Sequence, residues 1–169
     1  MAPSAGNATV RRPTERLRFD SLEQEAFLNL WRTYDRLRIL EDALFSQHDV
    51  TPQQYNALRL LRAAKPGGLQ TLRLAEQLVS RAPDITRLLD KLEQRGLIER
   101  MRPANNRRVV EVCITEAGAE LLDKMAEGIR ECHRAQLGHL PTESLQQLIE
   151  LLAAARRPHE KDSSSWLDK

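Results

Sequence analysis

The hydrophobic period of this chain changes abruptly at Gly96, and that change limits the fold more than any other feature. Upstream, Ile85, Leu88, Leu89 and Leu92 recur at i, i+3, i+4 and i+7, the single apolar stripe of a surface helix. Gly96 stands where a left-handed residue ends such a helix. Downstream the period becomes two. Leu97–Arg102 and Val109–Ile114 predict strands, with Val110, Val112 and Ile114 on one face. Between them, residues 103–108 are rich in turn formers and predict a hairpin tip. Before the stripe, Thr71 opens a short helix with Leu74, Ala75 and Leu78 facing inward. Ser80 is read as ending it and capping the next helix, with Pro83 in the first turn, where its missing N–H costs little. Two short helices followed by a hairpin form a helix-turn-helix with a β-wing.

The flanks are helical. Residues 1–18 are dominated by Pro, Gly, Ser, Thr and Arg and read as a disordered N-terminal arm. Ser21 and Gln24 form a capping box ahead of a helix reaching about Gln47. Its apolar face carries Leu22, Ala26, Leu30, Tyr34, Leu37 and Leu44, widened by Phe27 and Trp31. Thr51, Pro52 and Gln54 start a second helix, which runs to about Ala64 and is stopped by Lys65-Pro66-Gly67-Gly68. Thr115 caps a long helix bearing Leu121, Leu122, Met125, Ile129, Cys132 and Gln136. Pro141-Thr142 begins the last helix, with Leu145, Leu148, Ile149 and Leu152. The expected plan is an arm at 1–18, a first helix within 19–50, a winged helix-turn-helix lobe at 51–114, C-terminal helices at 115–157 and a charged tail at 158–169. The fold class is mainly α with a small β-wing, and the end helices must find a partner surface.

Composition excludes several classes. Two cysteines make no disulfide framework, and no apolar run approaches the roughly 18 residues of a membrane span. The start MAPSAGNATVRRP carries no apolar h-region, so a cytoplasmic protein without a membrane role is the expectation. Catalysis finds no support. Nucleophile elbow, phosphate loop, dinucleotide fingerprint and metalloprotease pair are all missing, so neither an enzyme nor a cofactor is expected.

The net charge of +2 hides an uneven distribution. Residues 1–70 carry +2, residues 71–112 carry +3 and residues 113–169 carry −3. Of the 26 basic residues 21 are Arg, the better reader of phosphates and base edges. If the apolar stripe packs inward, Asp84, Thr86, Arg87, Lys91 and Gln94 point outward on a helix of the width the DNA major groove admits. Arg107 and Arg108 sit at the wing tip, suited to the negative potential of a narrow minor groove. Arg100 and Arg102 on the first wing strand, with Ser80 and Thr71 at helix starts, are candidate phosphate contacts. Singly, each has a plain alternative. Arg87 and Lys91 beside Asp84 and Asp90 also suit a solvated face, and Arg107 and Arg108 also suit a soluble tip.

The blocks PDITRLLDKLEQRGLIER and NNRRVVEVCITEAGAELL, within about residues 20–155, resemble the MarR family of winged-helix transcriptional regulators. The resemblance implies a homodimer built by the first and last two helices and bound to a pseudo-palindromic DNA operator. It further implies that Pro83, Asp84, Thr86 and Arg87 face the major groove and that Arg108 enters the minor groove. One departure stands out. The family usually has Asp at the positions of Pro103 and Asn106, and the loss of both leaves the wing tip more positive.

Many relatives release DNA when a small aromatic or other lipophilic effector binds. Trp31, Tyr34, His48, Tyr55 and Arg59 are candidate lining residues for such a pocket, although aromatics at helical spacing are more often core. Cys113 and Cys132 read as buried structural thiols. His48, His133 and His139 lack the i, i+3 or i, i+4 spacing of a helical metal site, so no metal is expected. The reading is a DNA-binding regulator, with a ligand-responsive repressor as the commoner mode in relatives. An effector-free architectural protein and a helical protein–protein adaptor remain as alternatives.

Overall fold

Threonine caps start the helices that frame the lobe. The computed structural model describes residues 19–79, 84–102 and 110–160. Its helices are α1 (Leu22–Gln47), α2 (Pro52–Ala63), α3 (Thr71–Gln77), α4 (Ile85–Gln94), α5 (Glu116–Leu137) and α6 (Thr142–Arg156), the last followed by a 3-10 turn at Arg157–His159. Its strands are β1 (Leu69–Gln70), β2 (Ile98–Met101) and β3 (Glu111–Ile114). At α2 the Thr51 hydroxyl accepts from the Gln54 amide at 3.2 Å, and the Gln54 side chain accepts from the Thr51 amide at 2.8 Å. This reciprocal box satisfies two donors that a helix start leaves orphaned. At α5 the Thr115 hydroxyl accepts from the Gly118 amide at 3.1 Å and donates to the Gly96 carbonyl at 2.7 Å. One side chain therefore starts α5 and fastens it to the end of α4. Gly96 adopts φ +69°, the left-handed conformation expected of it.

The chain divides into two compact units, residues 1–36 and 37–169. In the first, Ser21 caps α1 by accepting from the Gln24 amide at 3.1 Å. The Gln24 side chain returns to the Asp20 amide at 2.8 Å, one residue earlier than the expected box. The rings of Phe27 and Trp31 lie 6.2 Å apart, and both are about three-fifths exposed, at 62%.

The second unit holds the core. Leu58 and Leu61 of α2, Leu74 of α3, Leu89 and Leu92 of α4, Val112 of β3 and Leu122 of α5 are fully buried in one cluster. Each such leucine contributes roughly 1.5–3 kcal/mol on burial. A smaller cluster joins Phe45, Val50 and Met125, with the Tyr55 ring 5.3 Å from that of Phe45. Buried Gln136 donates from Nε2 to the Leu37 carbonyl at 2.9 Å, which satisfies its amide and ties α5 to α1. Helix α6 has no fully buried residue and leaves Ile149 and Leu151 exposed.

The expected hairpin is a three-stranded antiparallel sheet, ordered β1-β3-β2. Strand β1 is the element that periodicity does not announce. Leu69 pairs with Val112 and Gln70 with Glu111, while Ile98 to Met101 pair with Ile114 back to Glu111. A Cβ on Gly68 would lie 2.7 Å from the Val112 carbonyl oxygen, so the absent side chain lets β1 approach β3. The strands are also shorter than predicted, starting at Ile98 and Glu111.

Helix α4 begins at Ile85 with Asp84 as its N-cap, a role that the sequence reading did not give to Asp84. Ala75, expected inside, is only half-buried. The arm at 1–18, Ser80, Pro83, the wing residues 103–109 (with Pro103, Asn106, Arg107 and Arg108) and the tail from 161 lie outside the described residues.

Candidate nucleic-acid interface

The outward face of α4 is set by what its inward face buries. Leu89 and Leu92 have no exposure, and Ile85 and Leu88 pack against the same cluster. With that stripe inside, Thr86, Arg87, Lys91 and Gln94 are exposed. Asp84 Oδ1 accepts from the Arg87 amide at 2.9 Å, the contact of an N-cap. That carboxylate therefore has a structural task besides any contact with DNA. Among the described residues, neither Arg87 nor Lys91 makes an ion pair. Arg87 projects from the first turn of α4, near the positive end of the helix dipole, a field that favours phosphate, whereas Lys91 lies in the last turn.

Arg100 behaves differently. Its Nη1 lies 2.7 Å from both Asp90 Oδ1 and Glu93 Oε2, and its Nη2 donates to the Thr86 carbonyl at 3.4 Å. The side chain is only one-quarter exposed. The geometry spends this guanidinium inside the protein, clamping β2 to α4. Arg102, by contrast, is exposed. Thr71 is half-buried as the first residue of α3, whose N-cap Gln70 makes no side-chain capping bond.

The proposed effector residues divide between the units. Trp31 and Tyr34 are exposed in the first. His48 and Tyr55 are half-buried and Arg59 is exposed in the second. Of these, Tyr55 packs on Phe45, and the His48 carbonyl accepts from Arg95 Nη2 at 3.3 Å. Arg95 is a residue that periodicity did not single out. Its only sequence signal is its place before Gly96, where it is the C-cap of α4.

Cys113 and Cys132 are buried free thiols. Burial pushes both pKa values up, reinforced at Cys113 by the carboxylates of Glu99 and Glu111 and at Cys132 by Glu41. Such thiols are poor nucleophiles. Among the described residues, no group of three His, Cys, Asp or Glu side chains stands ready for a metal. Nor is any helix there long and apolar enough to cross a membrane.

The profile described as the MarR family matches residues 50–110. The chain is 34% identical over 110 residues to the HTH-type transcriptional regulator FarR of Neisseria gonorrhoeae, covering 65% of this chain and 74% of that one. It is 28% identical over 109 residues to the homoprotocatechuate degradative operon repressor of Escherichia coli, covering 64% of this chain and 72% of that one. Among solved structures, it is similar to a MarR transcription factor from Planctomyces limnophilus, with 53% identity and a TM-score of 0.63. That likeness covers 81% of this chain and 99% of the solved one.

Proposed function

This chain belongs to the MarR family, whose members are DNA-binding transcriptional regulators, and from that premise we propose that it reads duplex DNA with the exposed face of α4. The observation that carries the reading is the contrast between cations in one segment. Arg100 is neutralised by two carboxylates, while Arg87 and Lys91 stand exposed and unpaired among the described residues. Arg87 and Thr86 contact base edges, Lys91 contacts phosphate, and Asp84 holds the first turn in place. Thr71, Ser80 and Pro83 complete the contacts with DNA, while Arg107 and Arg108 enter the minor groove.

The acting unit is a homodimer. Helix α1 buries Phe45 alone and exposes Leu22, Phe27, Leu30, Trp31 and Tyr34. Helix α6 exposes Ile149 and Leu151. A second copy covers these faces, and the two α4 helices then meet DNA about one helical turn, ~34 Å, apart. The protein works in the cytoplasm as a repressor by steric blocking, without catalysis. An aromatic or lipophilic effector binds beside Tyr55 and His48. One relative's name refers to a homoprotocatechuate degradative operon, so phenolic acids are the first compounds to screen.

Selection of binding sites from random duplex DNA tests the reading. A palindromic consensus is expected, with binding lost in Arg87→Ala combined with Arg108→Ala. Binding without a consensus favours an architectural protein. Absence of DNA binding favours an adaptor.

A further inference from the structure

Arg95 closes the C-terminus of α4 and reaches across the lobe to the elbow between α1 and α2. Its Nη1 donates to the Asp49 carbonyl and its Nη2 to the His48 carbonyl, at 3.3 Å for the second. The Asp49 carboxylate lies 3.9 Å away, the weaker part of the contact. These two carbonyls follow the last turn of α1, where acceptors lack intrahelical donors. A planar guanidinium is the side chain that meets two neighbouring acceptors at once.

The elbow is itself firmly placed. Asp49 holds φ +53°, a conformation uncommon outside glycine, and the Val50 amide donates to the Phe45 carbonyl at 3.3 Å. The side chains of Phe45 and Val50 are buried with Met125 of α5. At the other end, the Leu97 amide returns to the Leu92 carbonyl at 3.0 Å and fixes how α4 ends. Arg95 thus joins two rigid pieces through backbone acceptors, a contact that survives only at one relative placement.

We infer that Arg95 is a positioning residue that sets α4 against the α1–α2 elbow, so that displacement of the elbow is transmitted to the DNA-reading helix. This rests on the reading of α4 as that helix. Since the donors of Arg95 face carbonyls, its role is distinct from phosphate contact.

The test uses the full chain, a duplex site selected by the wild-type protein, the same site with altered half-site spacing, and a scrambled duplex at several salt concentrations. Arg95→Ala and Arg95→Lys are expected to lower affinity for the selected site about tenfold and to broaden the spacing preference. Affinity for the scrambled duplex and its salt slope stay at wild-type values. Arg95→Lys keeps the charge and the stem but not the fork, and it decides the matter if the alanine variant fails to fold. A salt slope smaller by about one unit identifies a phosphate contact instead and overturns the inference. Unchanged site affinity and spacing preference overturn it too. Hydrogen exchange without DNA separates this inference from the reading of α4. The amides of Val50 and Leu97 are expected to exchange faster together in both variants. Unchanged exchange at either one breaks the link, even if the wild-type protein selects no site.

Discussion

Arg100 lies 2.7 Å from Asp90, and through that contact β2 is held to α4. Glu93 shares the same Nη1 at 2.7 Å, so one cation offsets two carboxylates one helical turn apart. Without it, Asp90 and Glu93 repel each other at i, i+3. Both carboxylates remain about two-fifths exposed or more, at 46% and 40%, and water screens them. Arg100→Ala should therefore cost only about 1 kcal/mol of stability after that screening, less at high salt. Its effect on DNA should be larger in kind. Strand β2 loses its hold on α4, and preference for a selected site falls relative to scrambled DNA. Urea unfolding at low and high salt, with binding measured on both duplexes, checks both outcomes.

Arg87 and Lys91 are both exposed, yet the proposed roles separate them. Arg87→Ala should cost roughly 1–3 kcal/mol on the selected site and relax preference at one base pair. Lys91→Ala should weaken all sequences alike and reduce the salt slope by about one. Titrations of each variant on selected, singly substituted and scrambled duplexes distinguish the two. Equal losses on every sequence from both variants would remove Arg87 from base readout.

Gly68 carries a prediction about the sheet. A Cβ there meets the Val112 carbonyl oxygen at 2.7 Å and Cys113 Sγ at 2.5 Å. The sulfur can turn aside, but the backbone oxygen must move with β3. Gly68→Ala should destabilise the lobe by roughly 1–3 kcal/mol, the usual cost of overpacking. Thermal unfolding measures it. Exchange of the Leu69 and Val112 amides shows whether β1 detaches.

What the residues announced in advance, and what they did not, follows from the range of the forces involved. Thr51, Thr115 and Gly96 were legible because a cap or a left-handed stop is settled within about one turn of chain. The stripe from Ile85 to Leu92 was legible because burial imposes a period. Strand β1 was not, since two residues carry no period and Leu69 finds its partner in Val112, far along the chain. The N-cap of α4 was not legible as Asp84, because a carboxylate there reads equally well as an outward-facing side chain. Arg100 and Arg95 were legible as charges but not as clamps. Their partners, Asp90 with Glu93 and the carbonyls of His48 with Asp49, are defined only once the lobe has closed.

The exposed aromatics of α1 test the dimer. Phe27 and Trp31 are each 62% exposed, a costly display unless a partner covers them. Phe27→Lys with Trp31→Lys should shift the protein toward monomer in sedimentation and weaken binding to a two-half-site duplex far more than to a single half-site. The winged lobe should remain folded, because neither residue belongs to its core cluster. A variant that sediments as the wild type would show that these rings face something other than a second copy.

The buried thiols make the chain's stability depend on alkaline pH. Burial, ahead of the neighbouring carboxylates, raises the pKa of Cys113 and Cys132 in the folded protein. An unfolded thiol ionises near its ordinary value, about 8.5. Above that value the folded state binds more protons than the unfolded state, so stability falls as pH rises. Below it, both states are protonated and the contribution is fully present. Denaturant unfolding at about pH 7.5 and about pH 9.5 should therefore show an alkaline loss that shrinks in Cys113→Ala with Cys132→Ala. The same burial predicts that a disulfide-exchange reagent labels neither thiol until the protein unfolds. Rapid labelling of Cys113 in native protein would mean that β3 opens beside Gly68 without global unfolding.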